Sequence, residues 1–233
     1  MPRAETWGFE AAQADGTGVL VRLTCFPDHG IAWYWAYVFL PDEALVVVRD
    51  HEVPLPRVGL EVRADGLWAE QVCETPFEHW TYGLEAFGVA LDDPAESLRG
   101  EIGERIPVGF DLEWEVDDAA GEARELETAS HGYEQFGTVH GEVLLARSRV
   151  EVDAVGRRVH RWGVPSWDRS VSSWWTHGPD ATFTQGAGAL PPSEELGRFL
   201  VPVSITGGAR GVVTRALCRF DSGNGWSSRY EPV

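Results

Sequence analysis

The chain has 233 residues and a formal net charge of −18. That length allows one large β domain or two small ones without disulfide staples, and the charge argues against nucleic acid and anionic membrane surfaces, both of which it repels at long range. No lysine occurs among the basic residues, which excludes Schiff-base and lysine-dependent pyridoxal phosphate chemistry.

From the N-terminus, Met1 to Thr6 carry no apolar export segment, and no later run approaches the roughly 18 apolar residues of a membrane span. We therefore expect a soluble, cytoplasmic protein. Period-two runs predict strands over 19–26, 31–40, 44–48, 59–63, 67–73, 77–89 and 108–116. Turn signals such as Asp15-Gly16, Pro41-Asp42 and Asp65-Gly66 separate them. Helix evidence is confined to single turns at 94–100 and 192–197, each closed by glycine. The acidic stretch 117–127 reads as a solvated connector. Strands then resume over 132–140, 141–149, 157–164, 171–176, 181–185, 199–205, 211–219 and 225–230. Many short strands at this spacing predict an all-β fold of two antiparallel barrel or sandwich halves packed side by side, residues 1–116 and 128–233. Cys25, Cys73 and Cys218 are widely separated and form no CxxC, so they read as small core residues and not as zinc ligands.

Alternation assigns faces. In 31–40, Trp33, Trp35, Tyr37 and Phe39 share one side and Tyr34, Ala36, Val38 and Leu40 the other, so the strand is buried on both. One side can be a cavity wall, although a strand packed between two layers fits equally. Glu78, Trp80, Tyr82 and Leu84 align on one face, as do Glu134, Thr138 and His140. A carboxylate in register with an indole and a phenol suits a polar patch in an apolar pocket, while the wet side of a sheet gives the same pattern.

The segment 157–168 concentrates His160, Trp162, Trp167 and Asp168. An imidazole moves protons near neutral pH, a carboxylate orients or discharges it, and indole faces stabilise positive charge. Core packing of the tryptophans and a turn cap at Asp168 are the simpler reading. Phosphate loops, GxSxG and HExxH are absent, and Gly207 to Gly211 reads as a hairpin turn. No cofactor and no metal are expected.

Gly132-Tyr133-Glu134-Gln135-Phe136-Gly137, followed by His160-Arg161-Trp162-Gly163 and Trp167-Asp168, resembles the second half of the hydroxyneurosporene-synthase-like, AttH-like proteins, and Pro76 to Trp80 resembles the close of their first half. The resemblance implies two lipocalin-like barrels with a hydrophobic pocket near their junction. It also implies carotenoid 1,2-hydratase or natural-product cyclase activity, Diels–Alder catalysis included. His160 and Trp162 match the family's HxW element and Asp168 is the nearest counterpart of its acid. The order Pro165-Ser166-Trp167-Asp168 departs from the arginine–aspartate–tryptophan order of many relatives. The expected activity is cyclisation or hydration of an alkene-bearing isoprenoid or polyketide-like intermediate. His160, Asp168, Glu78 and Glu134 are the candidate acids, and Trp162, Trp167, Trp35, Trp80, Tyr82 and Tyr133 line the substrate. A non-catalytic binder of a hydrophobic small molecule is the alternative.

Overall fold

The computed structural model describes residues 3–98, 100, 103–116, 123–125, 131–164, 171–177, 183–204 and 210–232. The described chain is almost entirely antiparallel β, as the alternation predicts. The strands are β1 (Ala4–Ala12), β2 (Gly18–Phe26), β3 (Ile31–Phe39), β4 (Leu45–Pro54), β5 (Val62–Ala64), β6 (Leu67–Thr75), β7 (His79–Leu91), β8 (Glu104–Val116), β9 (Arg124–Glu125), β10 (His131–Leu145), β11 (Ser148–Gly163), β12 (Val171–His177), β13 (Phe183–Ala187), β14 (Ser193–Ser204), β15 (Arg210–Phe220) and β16 (Gly223–Pro232). Single 3-10 turns cover Pro27–His29 and Pro94–Leu98.

β1 to β11 form an eleven-stranded sheet, and a pairing between β4 and β7 closes its order β4-β3-β2-β1-β11-β10-β8-β7 into a ring of eight. β6 and β5 extend the sheet beyond β7, and β9 pairs with β10. Closure removes the free edges that an open sheet would expose. The second sheet runs β13-β12-β16-β15-β14.

β3 shows how alternation builds two cores. Tyr34, Ala36 and Val38 join Phe9, Leu23, Tyr82 and Trp114 in one cluster inside the barrel. Trp33, Trp35, Tyr37 and Phe39 point outward and are roofed by Phe199, Trp226 and Trp175 of the second sheet. Tyr37 stacks on Phe199 with ring centroids 3.6 Å apart. Of the two readings of that strand, packing between two layers describes its outer face.

Several boundaries differ from expectation. β1 is absent from the predicted strands because Glu5, Gly8 and Glu10 dilute its alternation, yet it lies between β2 and β11 in the barrel. The expected break at Gly141 does not occur: β10 runs on for 15 residues, with Gly141 at φ 138° passing close to the Asp111 carbonyl. The helical turn expected at 192–197 is instead the start of β14, held to β15 with a bulge between Glu195 and Gly197. Most of the acidic connector lies outside the described residues. The sheets do not part at that stretch, because β10 and β11 follow it in sequence and complete the barrel, while the second sheet begins at β12. Cys25 and Cys218 are buried as expected, and Cys73 is exposed.

Candidate active site at the barrel mouth

One end of the barrel gathers polar and aromatic groups from five strands. β1 turns Glu5, Trp7 and Phe9 to the inward face, and its register sets them opposite Trp162, His160 and Arg158 of β11. β10 sets His131, Tyr133 and Gln135 against the same three β11 residues. From the other side, Trp80 of β7 pairs across the ladder with Trp114 of β8, and Tyr82 lies two residues deeper.

At the rim, His160 Nε2 lies 2.9 Å from Glu5 Oε1. Its imidazole stacks on Trp7 at 4.9 Å, meets Tyr133 edge-on at 5.5 Å and lies 5.0 Å from Trp162. Trp162 is 41% exposed and Phe77, in a neighbouring turn with φ 64°, is 51% exposed, so the mouth presents aromatic surface to solvent. Below the rim, the Arg158 guanidinium sits 4.5 Å from the Trp80 ring, 5.3 Å from Tyr133 and 5.5 Å from Trp114. It donates to Gln135 Oε1 at 3.2 Å and to the Tyr133 hydroxyl at 3.3 Å, and Gln135 Nε2 donates to the Phe77 carbonyl. Arg158 is buried, and no carboxylate pairs with it among the described residues. The indole N–H groups of Trp80 and Trp114 are also buried without an acceptor among the described residues. Such donors are expensive to leave unmatched and suit an oxygen of a ligand.

Two glycines make this arrangement possible. Gly137 and Gly156 face each other across β10 and β11, and the Trp114 indole lies over both. A Cβ at Gly137 would meet Trp114 Cε2 at 2.7 Å, and one at Gly156 would meet its Cδ1 at 3.1 Å. Gly137 of the GYEQxG sequence is thus the space that admits an indole. Cys25, paired with Glu5 across β1 and β2, has its thiol pushed up to about 11 by burial and then by Glu5. It is therefore protonated and unreactive at neutral pH. Burial likewise raises the Tyr82 phenol, chiefly through desolvation.

His160, Trp162, Tyr133, Trp80 and Tyr82 are the sequence-predicted residues that the fold brings to this mouth. Glu134 is not among them: it points to the outer face, 1% exposed, where its Oε2 accepts from Arg157 Nε at 2.7 Å and Nη2 at 2.5 Å. Trp35 also faces outward, its Nε1 donating to His51 Nε2 at 2.8 Å. Glu78 occupies an exposed turn, and its main-chain carbonyl accepts from Val116 N. Trp167 and Asp168 lie outside the described residues. Sequence reasoning missed Glu5, Trp7, Arg158 and Trp114. Arg158 stood in the quoted 157–168 segment two residues before His160, a same-face spacing that was there to be used.

Two further features lie elsewhere. His79, Glu113 and Glu115 place their ligand atoms within 4.8 Å of one another on the outer side of β7 and β8, the one such group among the described residues, with both carboxylates exposed. A groove of about 700 Å3 beside the turn between β5 and β6 is lined by Trp68, Phe87 and Leu144, and contains none of the mouth residues. Among the described residues no helix is long and apolar enough to cross a membrane.

Fold and site together define a closed antiparallel barrel roofed by a second sheet, with a cation, an imidazole–carboxylate pair and several indoles at one mouth. The chain belongs to the family described as "Domain of unknown function (DUF7064)", whose model matches residues 4–187. Among solved structures it is similar to "Crystal structure of CghA with Sch210972", at 11% identity and TM-score 0.46 over 98% of this chain and 88% of that chain. It is also similar to "Crystal structure of CghA", at 12% identity and TM-score 0.44 over 99% and 88%. Likeness at this level carries no inference about reaction or ligand. No curated protein matches.

Proposed function

We propose that the protein is a cofactor-independent cytoplasmic enzyme of secondary metabolism that cyclises an alkene-bearing, hydrophobic isoprenoid or polyketide-like intermediate at the barrel mouth, gripping it by a carbonyl or enolate oxygen. The observation that carries this reading is Arg158: a buried cation boxed by three aromatic rings, free of any carboxylate among the described residues, and two positions from His160 on the same face.

Arg158 also weighs against alkene protonation as the main route. A guanidinium already occupies the faces of Trp80, Trp114 and Tyr133, and a carbocation about 5 Å away is repelled by about 3 kcal/mol at an effective dielectric of about 20. One remaining indole face returns about 0.5–2 kcal/mol, so repulsion wins. An oxygen that gains negative charge is instead stabilised by Arg158 and by the indole N–H groups. In this mechanism the oxygen accepts hydrogen bonds, the carbonyl-conjugated alkene becomes electron-poor, and the second unsaturated segment, folded against it, forms the new carbon–carbon bonds. In a concerted cycloaddition no proton moves. Where the substrate must first enolise, His160, oriented by Glu5, takes the α-proton and returns it after ring closure. Hydration would use the same imidazole to add a proton to the alkene and accept one from the attacking water, and it is the route the Arg158 charge disfavours.

The test incubates purified protein with a panel of linear polyenes that carry or lack a conjugated carbonyl and follows products by mass spectrometry. We expect isomeric products of unchanged mass from the carbonyl-bearing members, with Arg158→Gln losing about 10²–10³ in rate. A gain of one water, or equal turnover of the members lacking the carbonyl, sinks the oxygen-gripping reading. Saturable binding with no product across the panel supports the binder instead.

A further inference from the structure

The outer surface of the same wall carries a second cluster. Outward residues of β1 are Thr6, Gly8 and Glu10, flanked by Thr24 and Arg22 of β2 and by Arg161, Val159 and Arg157 of β11. Arg215 and Trp175 reach it from the second sheet. The charges do not balance. Glu10 accepts from Arg215 and from Trp175 Nε1, and lies 3.7 Å from Arg157 Nη1. Glu134 is occupied by Arg157. Among the described residues, four guanidinium groups therefore share two carboxylates, and Arg22 and Arg161 are left over.

Arg22 has the Thr24 hydroxyl as acceptor at 3.2 Å and the Trp35 face at 5.0 Å. Arg161 Nε is buried with no partner among the described residues. Neither pairs with a carboxylate among the described residues. Between them β1 sets Thr6 against Arg161 and Gly8 against Arg22, and a Cβ at Gly8 would meet nothing nearer than Val159 Cβ at 3.8 Å. The outer face thus has a position without a side chain at Gly8, with two half-buried guanidinium groups beside it. Burial disfavours both charges: Arg22 is pulled down to about 10 by burial and then Arg161, and Arg161 to about 10 by burial and then Arg157, against the opposing pull of Glu134. In a chain of net charge −18, a local surplus of partly desolvated cations needs a counterion.

We propose that Arg22 and Arg161, beside Gly8, form an anion site that takes the carboxylate of a small organic acid. Guanidinium forks match the planar, two-oxygen geometry of a carboxylate better than a tetrahedral anion. The site is on the opposite face of β1 and β11 from His160, so it stands or falls independently of the mouth.

Isothermal titration calorimetry of the full chain with sodium benzoate, benzamide and inorganic phosphate tests it. We expect benzoate to bind, benzamide to give no saturable heat, and phosphate to bind more weakly than benzoate. Arg22→Gln and Arg161→Gln should each weaken benzoate at least tenfold. Because each variant removes an unpaired cation, its melting midpoint without benzoate should equal or exceed the parent's, which a structural arginine would not give. Gly8→Val should abolish binding with both arginines present. Absence of benzoate heat in the parent, undiminished binding in the variants, or equal binding of benzamide overturns the proposal. Phosphate binding with benzoate silent overturns the organic-acid assignment.

Discussion

Trp114 and Trp162 belong to the same mouth but to different energetic classes. Trp114 is fully buried, and its indole fills the space left by Gly137 and Gly156. Trp114→Ala should cost about 3–5 kcal/mol, whereas Trp162→Ala should stay within about 1 kcal/mol of the parent while reducing turnover. Urea unfolding beside a turnover assay separates the two. Glu134→Gln removes the nearer of the two carboxylates that meet buried Arg157, leaving Glu10 at 3.7 Å, and should destabilise by about 1–3 kcal/mol, measured in the same way. His51 supplies a pH signature. Burial, then Arg49, push its pKa down to about 4 against the opposing pull of Asp50. Since the unfolded imidazole titrates near 6.5, the folded state holds fewer protons between those values. Its contribution, about 3 kcal/mol at most, is present above pH 6.5 and lost as the pH falls toward 4. The difference in urea midpoint between parent and His51→Gln should therefore change over that interval and be constant above pH 7.

At the scale of elements, paired glycines set how closely β8, β10 and β11 approach. A Cβ at Gly137 would overlap the Glu115 carbonyl oxygen as well as the Trp114 ring. Neither a backbone carbonyl in a ladder nor a buried indole can yield cheaply. Gly137→Ala should therefore destabilise by more than about 3 kcal/mol and loosen the β8–β10 ladder, read as faster amide exchange in Phe110 to Val116. Gly8→Ala is the internal control. Its new methyl meets only ordinary contact with Val159, so stability should hold or rise by about 0.5–1 kcal/mol.

The whole molecule is held by a layer that belongs to both sheets. Trp33, Trp35, Tyr37 and Phe39 are the outside of the barrel and also the floor on which Phe199, Trp226 and Trp175 rest. Neither sheet can unfold without exposing that aromatic surface. Phe199→Ala should lower the unfolding midpoint seen by far-UV and by tryptophan signals together, as one transition. Two separated transitions would show that the sheets are independent units.

Period-two alternation by itself determined the class of the fold, the double burial of β3, and the sharing of one face by His160 and Trp162, because side-chain direction in a strand depends only on residue spacing. It could not reveal which face of Glu134's strand was inward. That depends on neighbours far away in sequence: Glu5 and His160 are 155 positions apart and meet only because β1 pairs with β11. The sequence reading also placed a division at the acidic stretch, since charge density marks solvent-exposed chain but says nothing about strand order. Only the tertiary structure decided that β10 and β11 close the first barrel, that Arg158 lies under Trp80, and that Arg157 spends its charge on Glu134. Pairing partners are fixed by long-range closure and packing, which local pattern does not encode.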